Sequence, residues 1–550
     1  MLLLLDLFKK ESDLPKAPII TTGIASGIAS SVILAAINQA AQGIASYEDV
    51  TRPFFLFLIA LVLFIYTRKH SLAQATLVVE EAIRKLRLRV ADKIRHSELK
   101  FIEGLGKGEI YSHLTQDANL VSQSGLTLIS SLQALIVLFF CLLYIVTLSP
   151  LGFILILTGL VIGTILYIQH FTYVSAEILT SIEKETAFFD QLNHILDGFK
   201  ETRLNHAKST AVFKQLEKIS LETEQIKVNT GIKFVTNIMF SRVFSYIMLG
   251  AIVFIIPLFN PEHHQVVITV TATMLFIMAP IETIAGAIPV IARANVAVTN
   301  IVVLEKMLDN VSTLSETQHR SKQKQQQLEN FDVIDLKAIQ YQYTDVFGQP
   351  LFQLGSLDLT IKRNEIVYII GGNGSGKSTL LKLLAGLYQP QLGKIQVDSE
   401  LINKTNLTAY HELFSVVFAD FHLFDRLYGV DDIDEVFLNE LLKLMGLEHK
   451  TQYMDGQFTH LELSSGQRRR LAFIVAMIDD KPIYLFDELT ADQDPTFKDY
   501  FYKALIPNLR AEGKTVILTT HDEKYLYTAD RVLKMEDGQL KEINISSSES

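Results

Sequence analysis

Val367-Tyr368-Ile369-Ile370-Gly371-Gly372-Asn373-Gly374-Ser375-Gly376-Lys377-Ser378 is an apolar run that dissolves into glycines and ends on a lysine and a hydroxyl. The apolar residues predict a buried strand, and the stretch beginning at Thr379 predicts a helix, so the glycines sit at a strand-to-helix turn. Glycine there lets successive backbone N–H groups curl around phosphate oxygens, while the helix that follows points its positive dipole end at them. Lys377 then supplies a point charge to the β- and γ-phosphates of a nucleoside triphosphate, and the Ser378 hydroxyl suits Mg²⁺. Gly371, Gly372, Asn373, Gly374, Ser375, Gly376, Lys377, Ser378 and Thr379 are the expected nucleotide-binding residues.

Two later segments supply the chemistry such a loop lacks. Ile483-Tyr484-Leu485-Phe486-Asp487-Glu488 reads as a buried strand ending in two carboxylates, and strand ends are where an open α/β sheet binds nucleotides. Asp487 is expected to hold Mg²⁺ through water, and Glu488 to orient and polarise the attacking water. Leu518-Thr519-Thr520-His521 places a histidine after another strand, within hydrogen-bonding reach of a γ-phosphate. His521 draws this role from its company, since a lone histidine signals little.

Upstream the sequence changes character. Six stretches, about 17–44, 52–67, 125–148, 150–172, 232–258 and 265–292, are long and apolar enough to span about 30 Å of hydrocarbon as helices. The links at 45–51, 149 and 259–264 are short, whereas those at 68–124 and 173–231 are long and polar. Arg68, Lys69, Arg84, Lys85, Arg87, Arg89, Lys93 and Arg95 crowd the first long link, and Lys184, Lys200, Arg203 and Lys208 the second. The short links carry Glu48, Asp49 and Glu262 instead, with Arg52 at a helix end. The positive-inside rule therefore puts both termini and both long links in the cytoplasm. Each long link reads as two helical extensions joined at a tip: the Gly-rich Glu103–Glu109 in the first, Gly198 in the second.

The expected plan is an all-α six-helix transmembrane domain followed by an α/β phosphate-loop domain. Residues 1–16 form an amphipathic lead-in helix on the membrane surface, 17–309 the membrane domain, 310–330 a Gln/Lys-rich linker, and 331–550 the nucleotide-binding domain. Among the 550 residues, 49% are hydrophobic and the net charge is −10, which argues against a nucleic-acid partner bound through a basic face. The one cysteine, Cys141, lies in an apolar run, so intrachain disulfides and cysteine metal clusters are excluded, and no amino-terminal cysteine protease is expected.

The second half resembles the ABC ATPase family. Leu463-Ser464-Ser465-Gly466-Gln467 is similar to the family's LSGGQ signature, with serine at the third position, and Arg470-Leu471-Ala472 follows it. Ala491-Asp492-Gln493-Asp494 resembles the D-loop, and Tyr343 lies where the family stacks an aromatic on adenine. The resemblance implies ATP and Mg²⁺ as ligands, with Ser464, Ser465, Gly466, Gln467 and Asp494 facing the phosphate loop of a second copy. Two copies then form two composite sites. The family's Q-loop glutamine is missing: its position is Ala419, which leaves the neighbouring Asp420 as the substitute Mg²⁺ contact. Phe101–Leu114 and Leu192–Leu204 resemble the coupling helices.

Six spans with the ATPase behind them resemble the exporter branch, as a half-transporter of a bacterial cytoplasmic membrane. Leu196–Asn205, Val417–Asp425, Pro280 and Pro289 resemble the cyclic-peptide and siderophore exporters, a group similar to pyoverdine and microcin exporters that also lacks the Q-loop glutamine. A lipid or hydrophobic-drug exporter of the same fold stays open. A soluble ABC protein acting on ribosomes or DNA conflicts with the six spans. Arg242 and Glu282 fall at nearly equal depths in the fifth and sixth spans, as candidates to line a water-filled cavity, paired or holding a polar substrate. Asn38 and Gln39 are weaker candidates of the same kind.

Overall fold

The computed structural model describes residues 2–45, 49–259, 264–311, 328–344, 349–430 and 433–543. Glu48, Glu262 and most of the expected linker lie outside the described residues. The chain divides into two units: residues 1–93 with 106–307, and residues 94–105 with 308–550. The segment Ile94–Leu105, drawn from the first long link, thus belongs to the second unit.

Among the described residues, the first half of the chain is built of helices joined by short links. Its helices are α1 (Leu2–Glu11), α2 (Ala17–Ala45), α3 (Thr51–Arg95), α4 (Leu99–Leu105), α5 (Lys107–Ser112), α6 (Ala118–Leu148), α7 (Pro150–Asp197), α8 (Phe199–Leu204), α9 (His206–Phe259) and α10 (His264–Val311). Among the described residues, six helices are long and apolar enough to cross a membrane, one in each stretch read from the sequence. Helix α9 has 54 residues. At about 1.5 Å per residue that is far more than about 30 Å of hydrocarbon requires, so the spans run on, unbroken, into the long links. The Gly-rich tip differs in detail from the sequence reading. Helix α3 stops at Arg95, Gly104 is helical within α4, and the second break falls at Gly106 alone, with φ +82°. Only there does the backbone enter the left-handed region that glycine adopts without a Cβ penalty.

In hydrocarbon, helix association relies on close packing and on polar groups that find each other, because lipid tails compete for apolar contact. Both devices are present. A Cβ on Gly27 would lie 2.5 Å from Ile136, and one on Gly125 would lie 2.6 Å from Val79, so these glycines set the spacing of α2 and α3 against α6. Gln133 donates to the Ser71 hydroxyl at 2.9 Å, and Ser71 donates in turn to the Ile19 carbonyl at 3.1 Å. Asn38 is buried and donates to Thr273 at 3.4 Å, which makes it interhelical glue, while Gln39 is exposed. Helix α1 buries Leu4, Leu7 and Phe8 within this unit, and its Glu11 pairs with Arg89 of α3. Arg89 also donates to Glu305 of α10 at 2.6 Å, so one guanidinium joins three helices.

The second unit is built on a six-stranded sheet. Its strands are β1 (Val333–Thr344), β2 (Pro350–Lys362), β3 (Ile366–Gly371), β4 (Leu392–Val397), β5 (Glu400–Leu401), β6 (Phe414–Val417), β7 (Tyr453–Met454), β8 (Gln457–Phe458), β9 (Ile483–Asp487), β10 (Thr515–Thr519), β11 (Arg531–Glu536) and β12 (Gln539–Ile543). The main sheet has the order β12-β11-β3-β10-β9-β6, parallel except for β12, and β2-β1-β4-β5 form a separate antiparallel sheet. The helices are α11 (Lys377–Leu384), α12 (Leu407–His411), α13 (Glu435–Leu444), α14 (Ser465–Ile478), α15 (Pro495–Tyr500) and α16 (Ile506–Ala511). Strands β9 and β10 are buried at every residue, which explains their uninterrupted apolar sequences: a parallel sheet is covered on both faces. Tyr368, Phe486 and Leu518 fill one face's core, and Val367, Ile369, Leu485 and Ile517 the other.

The Gly125 contact yields a test. Val79 is buried and β-branched, so its χ1 has little room to yield to a new side chain. Gly125→Val should cost about 1–3 kcal/mol by overpacking and lower the thermal midpoint of the detergent-purified protein. Gly250→Val, where a Cβ meets nothing within 4 Å, should leave the midpoint nearly unchanged.

Candidate functional site

The strand order β3-β10-β9 places three carboxyl ends side by side: the glycine loop after β3, Thr520–His521 after β10, and Asp487–Glu488 at the end of β9. Here the glycine loop and Glu488 border a cavity of about 470 Å³. It is lined by Asn373, Gly374, Ser375, Gly376, Lys377, Ser378, Thr379, Glu488, Tyr343 and one residue the sequence reading missed, Phe352. Phe352 is the cross-strand partner of Tyr343, and its ring reaches to 3.0 Å from where a Gly376 Cβ would lie. That pairing depends on the β1–β2 register, for which the sequence carries no local signal.

Lys377 organises the site. It is only 5% exposed, and its ammonium donates to the carbonyls of Gly371 and Gly372 at 3.1 and 3.2 Å. Glu488 Oε1 stands 3.5 Å from it and His521 Nε2 3.4 Å. The same Nε2 is 3.1 Å from Glu488 Oε1, and one ring nitrogen cannot donate to the carboxylate while accepting from the ammonium. The histidine tautomer therefore chooses between its two neighbours.

The carboxylates are fixed from behind by Thr519. Its hydroxyl donates to Asp487 Oδ1 at 2.7 Å and accepts the Glu488 N–H at 2.9 Å. Glu488 itself has φ +50°, a sparsely populated conformation for a residue with a Cβ, and Arg469 holds it there by donating to its carbonyl at 2.9 Å. Thr519 and Arg469 were not singled out from the sequence. Threonine in a buried strand and arginine in a helix are both commonplace; β9–β10 pairing gives Thr519 its task, and the approach of α14 to the end of β9 gives Arg469 its own.

The residues assigned to a second copy's site do not line this cavity. Ser464 caps α14 in a reciprocal box with Gln467, and leaves Ser464 and Ser465 exposed at the helix start. Gln493 donates to the Gly466 carbonyl at 2.7 Å and accepts from Arg470 at 2.8 Å. Asp494 caps α15 through the Phe497 N–H at 2.9 Å and accepts from Arg470 at 2.6 Å. The Phe497 N–H and the Arg470 guanidinium hold its carboxyl below the usual carboxylate range. Asp420, after β6, is exposed and is not among the lining residues.

The donor set fits a nucleotide polyphosphate. Ser375 Oγ is buried with no hydrogen-bond partner among the described residues, and added Cβ atoms on Gly372 and Gly374 would meet nothing within 4 Å. Ser378 is exposed at the cavity wall, and Asp487 is buried at the end of β9, next in the chain to the lining residue Glu488; a hydroxyl and a carboxylate are of the type that hold Mg²⁺.

Comparison with known proteins agrees with this geometry. The ABC transporter family model matches residues 354–491. The ATP-binding protein SyrD of Pseudomonas syringae pv. syringae is 30% identical over 526 residues, 94% of this chain and 92% of that protein. The chain belongs to the ABC transporter family. An energy-coupling factor transporter ATP-binding protein, EcfA1 of Mycoplasma mobile, matches 38% of this chain at 29% identity, over 79% of its own length. The fold is also that of a bacterial Atm1-family ABC exporter solved with ATP bound, at TM-score 0.75 and 16% identity over 96% of this chain and 94% of that one. This ABC transporter is thus a multi-pass half-transporter of exporter fold carrying an ABC ATPase domain.

In the membrane half of the transporter, Arg242 of α9 donates to Glu282 of α10 through Nε at 2.9 Å and Nη2 at 3.3 Å. The Arg242 side chain is 50% exposed. Ser241 and Ile281, one residue along each helix, line an apolar cavity of about 290 Å³ whose wall includes Phe240, Phe244, Met248 and Met274.

Thr519→Val preserves shape but removes the hydroxyl behind both carboxylates. Leaving Asp487 and the Glu488 N–H without it should cost about 1–3 kcal/mol each where no water replaces it. ATP hydrolysis by the purified transporter should drop at least tenfold, while its elution as folded protein on size exclusion is retained.

Proposed function

We propose that two copies of this chain form an exporter in a bacterial cytoplasmic membrane. It hydrolyses ATP at two composite sites to move a cyclic or modified peptide of siderophore- or microcin-like chemistry outward. The motor half of this reading is supported by a separation within one chain: the phosphate-loop cavity lacks Ser464–Gln467, of which Ser464 and Ser465 stand exposed at the start of α14. A twofold pair lets each copy complete the other's site.

Within each site, backbone N–H groups of Gly372–Lys377 and the Lys377 ammonium hold the phosphates, with Tyr343 and Phe352 against the base. Mg²⁺ supplies positive charge against the β- and γ-phosphate oxygens when bound, and Ser378 and Asp487 are the residues that would hold it. Glu488 orients the attacking water and accepts its proton, and His521 steadies Glu488 or the γ-phosphate according to its tautomer. Ser464 and Gly466 of the second copy donate to the γ-phosphate from the opposite side, and Asp494 ties that signature helix to its D-loop through Arg470. Asp420 is absent from the cavity wall that Ser378 lines, which favours Ser378 as the Mg²⁺ contact.

The cargo half rests on one observation: a half-exposed Arg242–Glu282 pair among apolar helices. A charged pair there is costly unless something uses it, and a zwitterionic peptide offers both complementary charges. The neighbouring apolar cavity, lined by Phe240, Phe244, Met248 and Met274, favours the second reading, a lipid or hydrophobic drug.

Inside-out vesicles loaded with the protein should accumulate labelled cyclic peptides or peptide siderophores on adding ATP, with Glu488→Gln vesicles as the blank. Glu488→Gln should bind ATP with native affinity yet hydrolyse it slower by orders of magnitude. Movement of fluorescent lipid without peptide uptake would instead select the second reading.

A further inference from the structure

Helix α4 belongs to the same compact unit as the ATP site, and its contacts there are specific. Leu99 packs on the core that contains Tyr341 and Tyr388. The Lys100 ammonium sits 5.1 Å from the centre of the Tyr341 ring. Glu103 accepts from Lys382 of α11 at 2.8 Å and, through its other oxygen, from the Tyr388 hydroxyl. Lys382 also lies 5.2 Å from the Tyr388 ring centre, so the carboxylate, the ammonium and the phenol form one cluster.

From Tyr388 the contacts lead to the nucleotide cavity. Its hydroxyl is 3.3 Å from that of Tyr343, and the Tyr343 hydroxyl is 3.4 Å from Thr379 Oγ1, one residue past Ser378. The rings form a packed set: Tyr341 stacks on Tyr388 at 5.0 Å and meets Tyr343 edge-on at 5.2 Å. Burial, with Glu103 beside it, pushes the Tyr388 phenol far above its ordinary range, which keeps it protonated as the donor to Glu103. Tyr343 and Thr379 line the nucleotide cavity, and Glu103 lies on α4, which the chain joins to α3 through only three residues.

We propose that Thr379–Tyr343–Tyr388–Glu103 is a hydrogen-bonded relay that reports occupancy of the adenine edge of the ATP site to helix α4, supplying a link for which Ala419 has no side chain. The inference rests on the reading in which Tyr343 stacks on the base. Stacking fixes the Tyr343 ring, which fixes its hydroxyl between Thr379 and Tyr388. The Tyr388 phenol then holds Glu103 in one position rather than several. A hydrogen bond to a charged group shifts such an equilibrium by about tenfold or more. Lys382 holds the carboxylate near at 2.8 Å, so the cluster persists while its geometry responds.

The test compares native, Tyr388→Phe, Glu103→Ala and Asp420→Asn full-length protein in lipid nanodiscs, with ATP·Mg²⁺ as the probe. Phenylalanine keeps the Tyr341 stack and removes only the hydroxyl. Two quantities are read: ATP affinity, and the ATP-dependent change in amide exchange across residues 96–112. In the native protein and in Asp420→Asn, ATP should slow exchange there by about tenfold. In Tyr388→Phe and Glu103→Ala, ATP affinity should stay within about twofold of native while that slowing falls below about twofold. An undiminished response in Tyr388→Phe overturns the relay, as does a response absent from the native protein despite ATP binding. Loss of ATP affinity in step with the response makes Tyr388 merely structural and overturns it too. Failure of the native protein to bind ATP would instead overturn the underlying reading of the site, and peptide uptake, measured separately, does not enter.

Discussion

A lysine ammonium buried to 5% exposure is the constraint around which the ATPase unit is arranged. A buried charge is tolerated only where it is paired and hydrogen-bonded, and Lys377 has no partner of its own on α11. Its partners come from three strand ends: the carbonyls of Gly371 and Gly372 after β3, Glu488 after β9 and His521 after β10. Only a parallel sheet ordered β3-β10-β9 puts those ends within reach of one ammonium. The site therefore reads as a way of stabilising that charge until phosphate oxygens share it. Thr519 and Arg469 extend the arrangement outward, holding Glu488 in a backbone conformation it would not choose alone.

The membrane half answers a different constraint with the same logic. Hydrocarbon satisfies no hydrogen bond, so polar side chains such as Asn38 and Gln133 pair across helices, and glycines such as Gly27 and Gly125 let the backbones approach. Arg242 and Glu282 satisfy each other while half of the arginine side chain stays exposed. A pair made only for assembly would be expected deeper between its helices. Its partial exposure is what gives it chemical interest.

The two compact units share one chain, and the segment Ile94–Leu105 crosses the division between them, taking α4 from the membrane half into the ATPase unit. In a transporter the work of ATP must pass through such segments. With alanine rather than glutamine at position 419, the tyrosines at 341, 343 and 388 are among the side chains that stand between nucleotide and helix.

Local sequence carried much of the protein. Six apolar stretches gave six spanning helices, because a span needs only length and apolarity, both visible in a single window. The loop Gly371–Ser378 was legible because phosphate binding demands glycines, a lysine and a hydroxyl at fixed short spacing, and the strand-end residues Asp487, Glu488 and His521 were legible by their company. Phe352, Thr519, Arg469 and the Tyr388–Glu103 contact were not, because each takes its role from a residue distant in the chain. Strand register put Phe352 opposite Tyr343 and Thr519 opposite Asp487, and the docking of α4 put Glu103 against Tyr388, 285 residues away. Spacing along a chain determines local chemistry, whereas register and packing, which depend on which distant surfaces bury one another, were decided by the tertiary structure alone.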